Sequence, residues 1–169
     1  MRGIITLLLV FVFYCGFSQR IAYVEIHKII DKMPEYQAAN DSIDSQIRIW
    51  ESEVELKFEE VENLYQEYVK NEMMYPEDKK IEKQNEIVEA EKAAKQFREK
   101  IFGTKGELDK LQEQKIKPLE DKIFQAAEKV GKANNYEYVF DKRPESSWIY
   151  TNPEHNLTNR VLTELGLSK

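Results

Sequence analysis

Tyr75-Pro76-Glu77-Asp78 stands between two long runs of helical sequence, and its reading decides the fold. Proline disfavours helical geometry at the residue before it, while Glu77 and Asp78 suit the positive end of a new helix. One helix therefore ends here and another begins, so the chain turns back on itself.

On the N-terminal side, Pro34 to Tyr75 contains no glycine and no second proline. Apolar or aromatic side chains fall at 36, 43, 47, 50, 54, 61, 64, 68 and 75, the alternating steps of three and four of a heptad seam, interrupted by Asn40, Lys57 and Asn71. At ~1.5 Å per residue such a helix is roughly 60 Å long.

On the C-terminal side, Asp78 to about Val130 repeats the heptad. Ile87, Ala94, Ile101 and Leu108 form one column, and Ala90, Phe97 and Leu111 the other. Gly103-Thr104-Lys105-Gly106 interrupts it. A mid-helix glycine costs about 1 kcal/mol relative to alanine, so a kink or register shift is predicted there. Past Pro118 the seam continues at 116, 119, 123, 127 and 130, until Gly131 and Asn134-Asn135 stop it.

The ends of the chain read differently. Residues 20–26 alternate as one short strand, and positions 26, 29, 30 and 33 then take a helical rhythm that Pro34 punctuates. Tyr136–Phe140 and Trp148–Tyr150 are strand-like around the turn-rich segment 141–147. Asn156 is placed to cap a closing helix with Leu157, Val161, Leu162 and Leu165 on its apolar face and Gly166 beyond its end. The expected fold is mainly α with a small β body and a long antiparallel helical hairpin, a coiled-coil arm. Residues 19–33 and 118–169 make the body, and 34–117 the arm, with its tip near 74–78.

The first residues carry the pattern of a secretory signal peptide: Arg2, the apolar run Ile4–Phe13, then Gly16-Phe17-Ser18. The apolar run falls short of the roughly 20 residues that cross a bilayer. Cleavage is expected after Ser18. The alternatives are a retained anchor or a lipoprotein attached at Cys15, which has Tyr14 before it where lipidation wants a small residue. Cleavage removes the one cysteine and Arg2, leaving 24 basic (25 less Arg2) against 31 acidic residues, a net charge of −7. That balance argues against nucleic acid as a partner.

The total hides an asymmetry. Residues 35–78 hold thirteen acidic and three basic side chains, a balance of −10, and residues 79–117 hold eleven basic and eight acidic, a balance of +3. An antiparallel hairpin sets the acidic arm against the mildly basic one, which favours that pairing.

No phosphate-loop, dinucleotide or nucleophile-elbow motif is present, and no enzyme, cofactor or metal site is expected. Gly103-Thr-Lys-Gly106 lacks the spacing of a phosphate loop. His27 and His155 have no neighbouring ligand pattern. Glu59-Glu60 is a solvated pair on a helix, and Asn156-Leu157-Thr158 matches a glycosylation acceptor whose Asn the capping role already explains.

A two-helix hairpin has one seam and no enclosed core, so its aromatics outnumber what it can hide. Trp50, Phe58, Tyr65, Tyr68, Phe97 and Phe102 are candidate contacts for a guest, and Phe58 and Tyr65, seven residues apart off the seam, form a separate stripe. Met73, Met74 and Tyr75 either close the turn or add adaptable side chains for that guest. Without the hairpin, one strand and roughly 35 C-terminal residues remain, fewer than the about 40 that usually suffice alone. Subunit association through strand pairing is expected, with Ile21, Tyr23, Val24, Ile26, Tyr138, Phe140, Trp148, Ile149 and Tyr150 as the candidate surface.

Taken together, the signal segment, Arg20-Ile-Ala-Tyr-Val-Glu25, the helix start Pro34-Glu-Tyr-Gln-Ala-Ala39, Ile116-Lys-Pro-Leu-Glu120, Tyr136-Glu-Tyr-Val-Phe-Asp141 and Asn156-Leu-Thr158 resemble the Skp/OmpH family of periplasmic chaperones over residues 20 to 166. The resemblance implies a homotrimer with a β-rich body and three helical arms around a cavity, jellyfish-like. It implies ATP-independent holding of unfolded outer-membrane β-barrel proteins in the periplasm. A periplasmic coiled-coil adaptor with one folded partner is the alternative reading. The best-known members are strongly basic, and their positive arms are thought to attract acidic clients and anionic lipid. This acidic chain departs from them in electrostatic capture and lipopolysaccharide binding, which leaves a membrane surface as an open partner.

Overall fold

The computed structural model describes residues 19–145 and 147–168. The expected signal segment, with Cys15 and the cut after Ser18, lies outside them. The chain runs β1 (Ile21–Val24), α1 (Ile26–Ile30), α2 (Pro34–Asn71), a 3-10 turn at Glu72–Met74, α3 (Glu77–Phe102), α4 (Glu107–Ala133), β2 (Tyr138–Asp141), a second 3-10 turn at Pro153–His155 and α5 (Thr158–Glu164). These fall into two compact units: Glu35–Pro118, and the chain on either side of it.

Within Glu35–Pro118 the chain doubles back at Tyr75–Pro76. Tyr75 is extended (ψ 133°) and Pro76 has φ −58°, a fixed angle that serves the position just before α3. Facing pairs step forward along α2 as they step backward along the return helix. Trp50 meets Phe102, Lys57 meets Phe97, Phe58 meets Arg98 and Tyr68 meets Gln84. Ile43, Tyr68, Ala94 and Ile101 are buried in the seam, and Lys57 and Asn71, which interrupt the apolar pattern, are half-buried in it.

The glycine pair does more than kink the returning helix. Gly103 is extended (ψ 171°), Lys105 takes φ 59°, and α3 and α4 are separate helices. Asp109 accepts the Lys105 backbone N–H at 2.7 Å, holding the left-handed turn. A Cβ at Gly106 would stand 2.5 Å from the Ile101 carbonyl oxygen, and one at Gly103 would stand 2.3 Å from that of Glu99. Glycine is therefore required by the close approach of backbone at both positions.

In the second unit β1 and β2 pair in parallel, Ile21 opposite Tyr138 and Val24 opposite Asp141. A parallel pair needs a long crossover, and here the whole hairpin lies between the two strands in sequence. β1 and β2 thus pair with each other within one chain. Leu157 also donates its N–H to the Tyr23 carbonyl at 2.9 Å, on the other edge of β1. The segment Trp148–Tyr150 is not a strand. Ile149 is fully exposed, and the segment is tied down instead by Trp148 against Phe140 and by Lys142 Nζ donating to Thr151 Oγ1 at 2.8 Å.

The core of this unit is Ala22, Val24, Ile29, Met33, Ile123, Ala126, Ala127, Val130, Leu157, Val161 and Leu162. Counting only one strand and a C-terminal remnant omitted the second half of α4, which supplies four of these. Gly131 does not stop α4. It lies beneath β2, where a Cβ would come 2.7 Å from Val139 Cγ2. The stop is Asn135, left-handed at φ 59°, with Tyr136 N–H returning to the Gly131 carbonyl and Asn135 N–H to that of Lys132. Gly166 (φ 72°) ends α5 with the same pattern of bonds to Leu162 and Thr163.

Candidate functional site

Two surfaces carry more apolar area than the fold consumes. The first lies on the hairpin. Its seam is one side chain deep, so residues flanking it stay in solvent: Ile49, Leu56, Tyr65 and Val69 on α2, and Ile81 and Val88 on α3, are all exposed. Ile49 and Leu56 are seven residues apart on one flank of the seam, and Phe58 and Tyr65 lie on the other, following the 3.6-residue turn. Sequence reasoning singled out the second pair and passed over the first, although the same spacing was there to be read.

The candidate guest contacts divide by environment. Tyr65 is 48% exposed and Phe102 is also solvent-facing. Trp50 is half-buried, edge-on to Phe102 with ring centroids 6.5 Å apart. Phe58 and Phe97 are half-buried beneath the Arg98 guanidinium and the Lys57 ammonium, at 5.9 and 5.0 Å from the ring centroids. Tyr68 is only 7% exposed, and its phenol takes a hydrogen bond from Gln84 and donates to Glu72, so the hairpin itself occupies it. At the tip Tyr75 is half-buried, whereas Met73 is 99% exposed and Met74 also faces out. Turn closure thus falls to Tyr75 alone of the three.

The charge asymmetry works differently from the expectation of neutralisation between arms. Five of the six lysines of α3 are engaged by glutamates of α3: Lys79 with Glu82, Lys80 with Glu77, Lys83 with Glu86, Lys92 with Glu89 and Lys95 with Glu91. The Lys79 ammonium holds the Glu82 carboxyl below its usual range, and the Glu86 carboxylate raises Lys83. On α2, Glu51, Glu53, Glu55, Glu59 and Glu60 have no ion-pair partner among the described residues. Across the hairpin, Glu67 of α2 also helps raise Lys83, and Lys57 and Arg98 rest on aromatic rings.

The second surface is the outer face of the two-stranded sheet. Strand alternation turns Ala22 and Val24 inward and leaves Ile21, Tyr138 and Phe140 outward. Tyr138 and Phe140 stack with centroids 6.3 Å apart, and Trp148 adds its ring 6.1 Å from Phe140. Ile149 and Tyr150 continue the exposed patch. Of the other association candidates, Tyr23 is half-buried under the Lys142 ammonium, Ile26 is half-buried and Val24 belongs to the core.

His155 Nδ1 lies 2.9 Å from the Tyr136 hydroxyl. The residue at the head of α5 is Leu157, which makes no side-chain cap; Asn156 just before it forms an Asx turn instead, its Oδ1 accepting from the Thr158 N–H and hydroxyl. Among the described residues no group of three or more His, Cys, Asp or Glu is placed to hold a metal ion, and no helix is long and apolar enough to cross a membrane.

Comparison with known proteins adds one sequence family and one fold. The family model described as outer membrane protein (OmpH-like) matches residues 20–165. No curated protein matches the chain. A crystal structure from Caulobacter crescentus CB15, of an OmpH-like protein described as an outer membrane chaperone, superposes with a TM-score of 0.67 at 10% identity, covering 90% of this chain and 85% of that one. At that identity the likeness is one of fold.

Proposed function

The chain belongs to the OmpH-like outer membrane protein family, and on that premise we propose that it is an exported, non-enzymatic holdase of the periplasm. It binds unfolded outer-membrane β-barrel proteins without nucleotide. Three copies associate through the aromatic face of their bodies, and their hairpins surround the guest.

The observation that carries this reading is the apolar surface that the hairpin leaves uncovered: Ile49, Leu56, Tyr65, Val69, Met73 and Met74 along one helix and its tip. An unfolded barrel protein exposes alternating apolar residues and unpaired strand edges. A long surface with many shallow apolar contacts and no single deep pocket suits a guest of no fixed shape, and methionines repack against varied partners. The sheet face supports association: Tyr138, Phe140 and Trp148 lie together, and aromatic clusters are enriched at subunit contacts.

The test is dilution of a urea-denatured outer-membrane barrel into buffer with and without the chain from Gln19 onward, with no nucleotide. Light scattering is expected to stay low when the protein is present. Aggregation at the rate seen in buffer alone overturns the reading, and saturable binding to a native protein with indifference to unfolded ones identifies an adaptor instead.

A further inference from the structure

A groove of about 380 Å³ runs along one flank of the hairpin, lined by Glu53, Leu56, Lys57, Glu60 and Phe97. Leu56 is 60% exposed, and Ile49 extends the apolar line one heptad further. Among the described residues Glu53 and Glu60 have no ion-pair partner, although Lys57 sits within one helical turn of each. That lysine lies instead on the ring of Phe97. The groove already holds a cationic side chain on an aromatic floor, flanked by two carboxylates that do not pair directly with it.

We propose that the strip Ile49–Glu53–Leu56–Glu60, floored by Phe97, receives extended polypeptide in which a Lys or Arg stands two residues from an apolar residue, so that both fall on one face of the strand. Client choice is thereby weighted toward basic apolar segments. This rests on the holdase reading and specifies the chemistry of its guest.

The spacing suits such a segment. Side chains on one face of a strand recur about every 6.8 Å, and the rise from Leu56 to Glu60 is ~6 Å. An apolar side chain seated on Leu56 therefore places the cation two residues along, on the same face of the strand, near Glu60. A second cation competes with Lys57 for Phe97, with Glu53 beside it. An acidic segment would face the same two carboxylates, plus Glu51, Glu55 and Glu59 elsewhere on α2, across water whose screening length is ~10 Å at 0.1 M salt.

The experiment uses the whole chain from Gln19 onward and two labelled peptides of equal length, one repeating Leu-Ser-Arg-Ser (the Arg-Leu peptide) and one repeating Leu-Ser-Glu-Ser. Binding is read by fluorescence anisotropy at low and high salt, alongside suppression of barrel aggregation. The Arg-Leu peptide is expected to bind roughly tenfold tighter at low salt, and Glu53→Gln with Glu60→Gln to remove most of that preference. Leu56→Ser is expected to weaken both peptides. Both substitutions are on an exposed helix face, and circular dichroism confirms that the helices persist. Equal binding of the two peptides, preference for the acidic one, or a preference that survives the double substitution overturns the inference. If aggregation is still suppressed in those cases, the holdase reading stands without it; if suppression is also absent, both go.

Discussion

Gln84 Nε2 donates a 2.7 Å hydrogen bond to the phenol of Tyr68, which in turn donates to Glu72 at 3.2 Å. The bond joins α3 to α2 near the tip, where Tyr68 is buried. Tyr68→Phe keeps the ring and loses the bond, at a cost of about 0.5–1.5 kcal/mol. Tyr68→Ala also removes the seam residue and is expected to cost about 3–5 kcal/mol. Urea unfolding of the two variants checks the order, and hydrogen exchange should rise first around 65–90.

The break between α3 and α4 rests on backbone geometry. Gly106→Ala places a methyl 2.5 Å from the Ile101 carbonyl oxygen, so a loss of more than ~1 kcal/mol is expected as the turn shifts. Lys105→Gly relieves a residue held at φ 59°. It is expected to be neutral or to stabilise by up to about 1 kcal/mol. Thermal unfolding of both variants should move in opposite directions.

Glu25 ties β1 to α5. Its carboxylate is held below the ordinary value of 4.5 first by the hydrogen bond from Lys28, against the opposing effect of burial, and then by the bond from Asn156. A carboxyl group lowered by folding contributes stability that is full above its unfolded pKa and lost as pH falls through the folded one. The native chain should therefore lose stability below about pH 4.5. Glu25→Gln should be weaker at pH 7 and flatter across that acid range, as read by urea midpoints at each pH.

Phe58 and Tyr65 lie on one flank of α2, seven residues apart. Replacing both with Ser is expected to reduce protection of an unfolded barrel severalfold while leaving the sedimentation of the free protein unchanged. A collapse of the oligomer would show instead that the pair is structural.

Much of this was legible in the residues, and the exceptions are instructive. Pro76 and the heptad columns located the reversal because proline geometry and side-chain spacing are local. The pairing of α2 with its return helix follows mainly from the seam: α3 glutamates three and four residues away hold five of its lysines, while Glu67 of α2 acts across the hairpin on Lys83. Gly131 resembled a stop signal, yet its reason is β2, which is distant in sequence. Trp148–Tyr150 has strand composition but, among the described residues, no strand beside it to pair with. Lys57 read as a flaw in the seam, and only the facing Phe97 explains it.

Association and guest binding meet in one measurement. Sedimentation equilibrium of the chain from Gln19 onward, alone and mixed with a urea-denatured outer-membrane barrel, should give the mass of three chains and then of three chains plus one guest. Phe140→Ser with Trp148→Ser should return it to one chain. A single-chain mass for the unaltered protein, unchanged by the unfolded barrel, would contradict the account.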